Sequence, residues 1–447
     1  MLILGSCALP EIPVNEIRIT FDGEKNHELD NNDNFSPDGK WLVYDTRTET
    51  GGIGGNPSIE RVNIETGEIQ VLYHLANNHD YGPGVGAVSY HPAENKVIFI
   101  HGLPSCSEEN SYEQWRRTGV IVDVDQPNVP INMDSRDLSS PFTPGALRGG
   151  THRHEWSRDG KWIGYTYNDA IMKKLEDSTG IKWNLRTIGV SCQNHPVPVD
   201  ADPENVQGGW YSALVVRVVP EPRPGSDEIS HAASDSWVGA SGYQKADGNR
   251  QLARAFIGTV RDKNGTPVDE LFVVDIPDSI HVPGEFGPLE GTVNSFPMPP
   301  KGTVQRRLTF TADSKFPGCG GVARSSADGK QIAYLAKDQN GVQQVFLISP
   351  SGENPVQLTV HPSDVQSGVR WSPDNQTVIY VWDNSLVICE VSGRPFEKRF
   401  RRLTAPTETP PSNLVWSNDG KTIAFNRLVE TKEGRARSKQ IFVVGVD

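Results

Sequence analysis

"NFSPDGKWLVYDTR" (Asn34–Arg47) decides the fold, because the same pattern returns along the chain. It reappears as "EWSRDGKWIGYTYN" from Glu155, "RWSPDNQTVIYVWD" from Arg370 and "VWSNDGKTIAFNRL" from Val415. Looser copies start at Tyr90 ("YHPAENKVIFIHG") and Arg324 ("RSSADGKQIAYLAK"). Each copy has an aromatic or apolar strand end, a tight turn, then alternating apolar residues. Glycine after aspartate supplies the positive φ that such a turn requires.

Behind several copies follow another strand and a Leu-Thr strand, as in "QVFLISPSGENPVQLT" ending at Thr359 and "RRLT" ending at Thr404. Four strands per unit, at a spacing of about 45 residues, is the signature of a β-propeller blade. A degenerate fourth unit is expected from "WYSALVVRVV" (Trp210), "LARAFIGTV" (Leu252), "ELFVVDIP" (Glu270) and "VQRRLTF" (Val304). The last unit stops at "KQIFVVGVD" without a fourth strand, while "EIRITF" from Glu16 is a Leu-Thr-type strand without its own blade. Pairing the two closes the ring and removes both exposed edges. The expectation is an all-β chain with a single seven-bladed propeller over residues 15–447.

The Ser-Pro-Asp-Gly-Lys repeat resembles TolB-like propeller modules. Over nearly the whole chain the sequence resembles the YidR-like family (domain of unknown function 3748). "NHELDNNDNFSPDGKWLVYDTR" (from Asn26), "FTPGALRGGTHRHEWSRDGKWIGYTYNDAIM" (from Phe142), "PRPGSDEIS" (from Pro222) and "VQRRLTFT" (from Val304) carry that resemblance. It implies the fold and supplies no activity.

A formal net charge of −13 over 447 residues argues against nucleic acid and anionic membrane surfaces as partners. No apolar run is long enough to span a bilayer. The opening "MLILGSCALPE" has the form of a lipoprotein cleavage box, with Cys7 as the lipidated residue and residues 1–14 as signal remnant and linker. That reading places a monomer in the cell envelope, periplasmic or surface-anchored; without lipidation at Cys7 the protein would be cytoplasmic. Cys106, Cys192, Cys319 and Cys389 remain, with any disulfide pairing open. Cys389, within "SLVICEV", reads as a small buried apolar residue, and without a Cys-x-x-Cys pair no zinc-thiolate site is expected.

In a propeller the segments leading into the innermost strands converge on one funnel. Here they carry Asn31, Asn32 and Asp33; His79, Asp80 and Tyr81; Arg148, His152 and His154; Asp364 and Gln366; Ser412 and Asn413. On a regular strand His152 and His154 point to the same side. They could give two imidazoles to one divalent metal (manganese, calcium or zinc), with His79 or Gln366 completing the shell. They equally suit hydrogen bonds to neighbouring strand entrances.

The repeat and the His-x-His also resemble oligogalacturonate lyases, propellers that hold a metal with histidines and a glutamine. The glutamine that family places just before its His-x-His is absent, and Gly149 takes its place. The resemblance implies a metal that neutralises a uronate carboxylate and acidifies its α-proton for a base. Arg148, His152 and Asp80 are then the expected catalytic residues, Arg148 as a bidentate clamp or, alternatively, a plain salt bridge.

The stretch "PEPRPGSDEISHAASDSWVGASGYQK" (Pro220–Lys245) breaks the rhythm and reads as an insertion in blade four, at about 220–250. Asp227, Glu228 and Trp237, with Tyr81, are its candidate ligand-binding residues; a solvated excursion with Trp237 packed back is the alternative. There is no phosphate loop and no Gly-x-Ser-x-Gly elbow. The functional expectation is an envelope propeller acting on acidic, uronate-containing oligosaccharides by metal-assisted lyase-type or hydrolytic chemistry. The alternative is a non-catalytic platform for a protein partner or glycan.

Overall fold

A computed structural model describes residues 16–48, 52–193, 195–393, 395–396, 399–430 and 437–446. Seven antiparallel sheets of three or four strands form the ring. Blade one comprises Trp41–Asp45, Ser58–Asn63 and Ile69–His74, with Phe35 bridging Leu42 on its inner side. Blade two runs from Val85–Tyr90 to Pro130–Asn132. Blade three comprises Gly149–Trp156, Trp162–Asp169, Thr187–Cys192 and Tyr211–Leu214. Blade four comprises Ala232–Trp237, Ala253–Arg261, Pro267–Asp275 and Val304–Arg307. Blades five and six begin at Cys319–Ser325 and Arg370–Trp371. Blade seven takes Ser412–Trp416, Thr422–Glu430 and Arg437–Gly445 from the end of the chain and Ile17–Arg18 from its beginning.

The repeat is legible as hydrogen bonding. In the first turn Ser36 Oγ donates to Asp38 Oδ1 at 2.6 Å and accepts from the Trp41 amide at 3.0 Å. Asp38 Oδ1 also accepts from the Lys40 amide, and Gly39 stands at φ +73°. Ser157 and Asp159 make the same set, as do Ser326 with Asp328, Ser372 with Asp374, and Ser417 with Asp419. The Leu-Thr strands have an equally local cause. Thr309, Thr359 and Thr404 each accept, through Oγ1, an amide of the adjacent strand, from Leu271, Val345 and Leu386 at 2.9 Å. Thr20 does so for Ile441 across the ring closure, where Ile17 pairs with Val443 and Arg18 with Phe442.

The core lies between adjacent blades. Val43, Ile59 and Leu72 of blade one meet Val85, Val97 and Phe99 of blade two in one such layer. Of the cysteines, Cys106, Cys192, Cys319 and Cys389 are all free thiols, and Cys389 is buried in the strand Ser385–Glu390.

Two readings of the sequence need correction. Tyr211–Leu214 pairs with Thr187–Cys192 and is the outermost strand of blade three, not the start of blade four. The supposed insertion holds the innermost strand of blade four, Ala232–Trp237, which pairs with Ala253–Arg261. Its sequence does not read as a blade strand because no Ser-x-Asp-Gly turn follows it: Gly239 and Gly242, both at positive φ, lead instead into a small hairpin, Tyr243–Gln244 with Arg250–Gln251. A helix, Ala170–Thr179, also interrupts blade three; the Asp169 carboxylate caps it by accepting from the Met172 amide.

Candidate functional site

The innermost strands are not regular. Pairing slips between Gly86 and Ser89, around Arg153, between Ala233 and Ser236, between Gly320 and Arg324, and between Ser412 and Val415. A residue at positive φ stands at each slip: Ala87, Arg153, Ser234, Gly321 and Asn413. These are β-bulges, which re-aim side chains. In blade three the bulge leaves Arg153 exposed while His152 and His154 are buried.

The two histidines therefore do not present themselves as a pair of free ligands. The Arg117 guanidinium stands 2.7 Å from His152 Nδ1, and His152 Nε2 faces Asn168 Oδ1 at 3.2 Å. His154 Nε2 contacts Thr151 Oγ1 at 2.8 Å, and a Cβ placed on Gly119 would lie 2.8 Å from that nitrogen. Burial, then the Arg117 charge, lowers the His154 pKa to about 3. A cationic donor already occupies the ligand position of His152, so this pair does not fit a divalent ion.

The other expected residues are dispersed. His79, Asp80 and Tyr81 sit on an exposed turn of blade two, where His79 Nδ1 accepts from the Tyr81 amide at 3.2 Å. Gln366 is exposed and exchanges hydrogen bonds with Asn384 of its own blade. Arg148, read as a carboxylate clamp, has no exposed surface. Its guanidinium pairs with Asp169 at 2.9 Å and donates to the carbonyls of Thr292 and Ser295, which is the salt-bridge alternative. Asp227 faces Arg307 at 3.6 Å, and Glu228 accepts from the Arg223 amide at 3.0 Å. Trp237 is buried with the Arg254 guanidinium over its ring. Cys7 lies outside the described residues.

What the blades do bring together is a charged cluster on the propeller axis. Glu155 is its hub: Oε1 accepts from Arg324 at 3.1 Å and from the Asn32 amide group, and Oε2 accepts from Arg254 at 3.0 Å. Arg254 also donates to Asp235 at 2.7 Å. Arg153 donates to the Asp30 carbonyl at 2.6 Å, and Arg370 uses Nε on the Leu414 carbonyl at 2.9 Å. The terminal nitrogens of Arg370 have no protein partner among the described residues, and Arg324 Nε is buried without one.

Arg324 and Arg370 are half-buried, ringed by protein. That enclosure lowers the pKa of Arg370, and the nearby charges of Arg324 and Arg153 lower it further. Asp33, exposed to the same channel, is raised to about 6 by enclosure first and the Glu155 carboxylate second. The like-charged guanidiniums are thus only partly neutralised, which is the electrostatic condition for holding an anion.

Three tryptophans are bonded to the backbone of these cluster residues. Trp237 donates its indole N–H to the Glu155 carbonyl at 3.0 Å, Trp371 to Arg324 at 2.8 Å and Trp416 to Arg370 at 3.4 Å. Each bond ties one innermost strand to the preceding blade. A cavity of about 270 Å³ opens there, lined by Asp33, Glu155, Trp156, Arg158, Trp371 and Trp416 among others. Arg153, Glu155, Arg324 and Arg370 were missed by sequence reasoning. Their signal is positional, since Glu155, Arg324 and Arg370 each stand just before the first turn-side residue of their repeats, Trp156, Ser325 and Trp371.

Fold and site together define a seven-bladed propeller with an arginine-lined channel and an aromatic mouth. Residues 84–205 match the family described as "Protein of unknown function (DUF3748)". The chain is 38% identical over 418 residues to "Uncharacterized protein YidR" of Escherichia coli (strain K12), covering 91% of this chain and 94% of that one, and it belongs to that family. Among solved structures it is similar to an oligogalacturonate lyase from Vibrio parahaemolyticus (TM-score 0.54, 10% identity, 97% of this chain and 94% of that one). An oligogalacturonate lyase in complex with manganese is similar to the same degree (TM-score 0.55, 12% identity, 98% and 97%). At such identity the likeness is one of fold.

Proposed function

We propose that the channel of this envelope propeller takes up an acidic, uronate-containing oligosaccharide, its carboxylate held by Arg324 and Arg370. The observation that carries the reading is the pair of guanidiniums with unused donors, on residues whose backbone carbonyls accept the indole N–H groups of the half-buried Trp371 and Trp416. Guanidinium forks suit carboxylates, and indole faces suit sugar rings. An overall charge of −13 does not oppose this, because a narrow channel presents its own local potential.

Asp33 supplies the acid–base group that lyase-type or hydrolytic chemistry needs. A pKa of about 6 lets it give or take a proton near neutrality. Arginine neutralisation of the uronate carboxylate would acidify the adjacent C–H, the role first expected of a metal.

Calorimetry with oligogalacturonides against neutral oligosaccharides of equal length tests the proposal. Wild-type protein should bind only the acidic series, more weakly as salt rises, and Arg370→Gln should lose about tenfold or more in affinity. Equal binding of neutral sugars, or none of either, overturns it. Turnover abolished by Asp33→Asn with binding retained supports the enzyme; binding without turnover in wild type leaves a non-catalytic glycan receptor.

A further inference from the structure

Away from the channel, three metal-ligating side chains meet between blades three and four. Cys192 ends the strand Thr187–Cys192 and pairs with Trp162 on one side and Tyr211 on the other. His195 follows three residues later. His281 arrives from the long connection between Pro267–Asp275 and Val304–Arg307 of blade four.

The ligand atoms of all three lie within 4.8 Å of one another, and Cys192 Sγ is 3.9 Å from His281 Nε2. Two ligands of one tetrahedral zinc ion stand roughly 3.5 Å apart, so small side-chain rotations close the set. Neither imidazole has another hydrogen-bond partner among the described residues; the His195 and His281 rings contact each other at 4.8 Å, and the Tyr211 ring backs His281 at 4.1 Å. Among the described residues this is the one convergence of three His, Cys, Asp or Glu ligands.

We propose that Cys192, His195 and His281 form a site for a borderline-soft divalent cation, zinc above all, with solvent in the fourth position. One thiolate and two imidazoles select zinc over calcium or magnesium, which want oxygen. His195 and His281 are exposed, so the ion would be open on one side, the arrangement of zinc sites that bind a water or an exogenous ligand. The ion would also pin the blade-four connection to blade three. Arg148 already holds that connection through the Thr292 and Ser295 carbonyls. The spacing Cys-x-x-His was visible in the sequence, but its third ligand lies far along the chain and only the fold supplies it.

The test uses full-length protein stripped with chelator and reloaded with cobalt(II), beside Cys192→Ser, His281→Ala and, as a control, His79→Ala. Wild type and His79→Ala should show a thiolate-to-cobalt charge-transfer band and tetrahedral d–d bands, displaced by stoichiometric zinc. Both site variants should lose the charge-transfer band while keeping the wild-type circular dichroism. Zinc should raise the melting temperature of wild type and not of either variant. Absence of the charge-transfer band in wild type, or zinc stabilisation that survives His281→Ala, overturns the site. None of these readouts depends on the channel or its ligand.

Discussion

The Arg148 guanidinium and the Asp169 carboxylate, neither with any exposed side-chain surface, meet at 2.9 Å at the entrance of blade three. Asp169 is at the same time the cap of the helix Ala170–Thr179 and an acceptor for Tyr167 Oη at 3.0 Å. Removing the cation alone leaves a buried carboxylate without its counter-charge, which costs about 3–5 kcal/mol. Arg148→Met should therefore lower stability by that amount in equilibrium denaturant unfolding, and Arg148→Met/Asp169→Asn should recover part of it. A loss within about 0.5 kcal/mol would match an ordinary surface residue and return Arg148 to the list of free ligand clamps.

Ring closure makes a second prediction. Ile17 and Arg18 cover the strand Arg437–Gly445, Thr20 Oγ1 accepts the buried Ile441 amide, and Glu16 pairs with Arg427 at 2.8 Å. Thr20→Val orphans that amide and should cost about 1–3 kcal/mol. A chain beginning at Phe21 leaves Arg437–Gly445 as an open edge, so it should melt lower and self-associate in light scattering. A monomeric truncation with unchanged melting would mean the ring does not depend on this pairing.

These effects separate what the sequence could reveal from what it could not. The Ser-x-Asp-Gly turns and Leu-Thr strands are local devices whose donors and acceptors lie within a few residues or on the next strand, so their pattern gave the blades and the closure. Blade four lacks that turn after Trp237, so its inner strand reads as a loop. The site failed for a different reason. Strand alternation sends His152 and His154 to one side, but the bulge at Arg153, φ +53°, puts the arginine in the open and the histidines inside. A bulge is set by pairing with the neighbouring strand, which no spacing of residues displays. Glu155, Arg324 and Arg370 come from different blades and become one cluster only when the ring closes.

Asp33 carries a pH prediction. Its folded pKa, about 6, lies above the ordinary aspartate value of 3.8, so the folded protein binds the proton more tightly than the unfolded chain. Stability from this group is greatest below pH 3.8 and is lost as pH rises through 6. Asp33→Asn should thus raise the melting temperature at pH 7 and leave it unchanged near pH 3.5. A stabilisation that is the same at both pH values would show that Asp33 is an ordinary carboxylate.

His27 works in the opposite sense and in an overlapping window, so it is separated from Asp33 by its own variant. The imidazole is buried and stacked on Tyr44 at 4.6 Å, with neither ring nitrogen hydrogen-bonded among the described residues. Burial, which outweighs the raising effect of Asp22, depresses its pKa from 6.5 to about 4. The unfolded chain therefore takes up the proton first as pH falls. The stability contribution is complete above pH 6.5 and declines towards pH 4, at up to about 1.4 kcal/mol per pH unit for one group. His27→Phe keeps the stacked ring, loses no hydrogen bond and cannot titrate. Its unfolding free energy should match or exceed that of wild type at pH 7 and fall less steeply between pH 6.5 and 4. Parallel pH profiles for the two proteins would show that His27 titrates alike in the folded and unfolded states, and the acid sensitivity would then have to come from the other buried histidines, His91, His101, His152, His154 and His361, whose pKa values are lowered by the same burial.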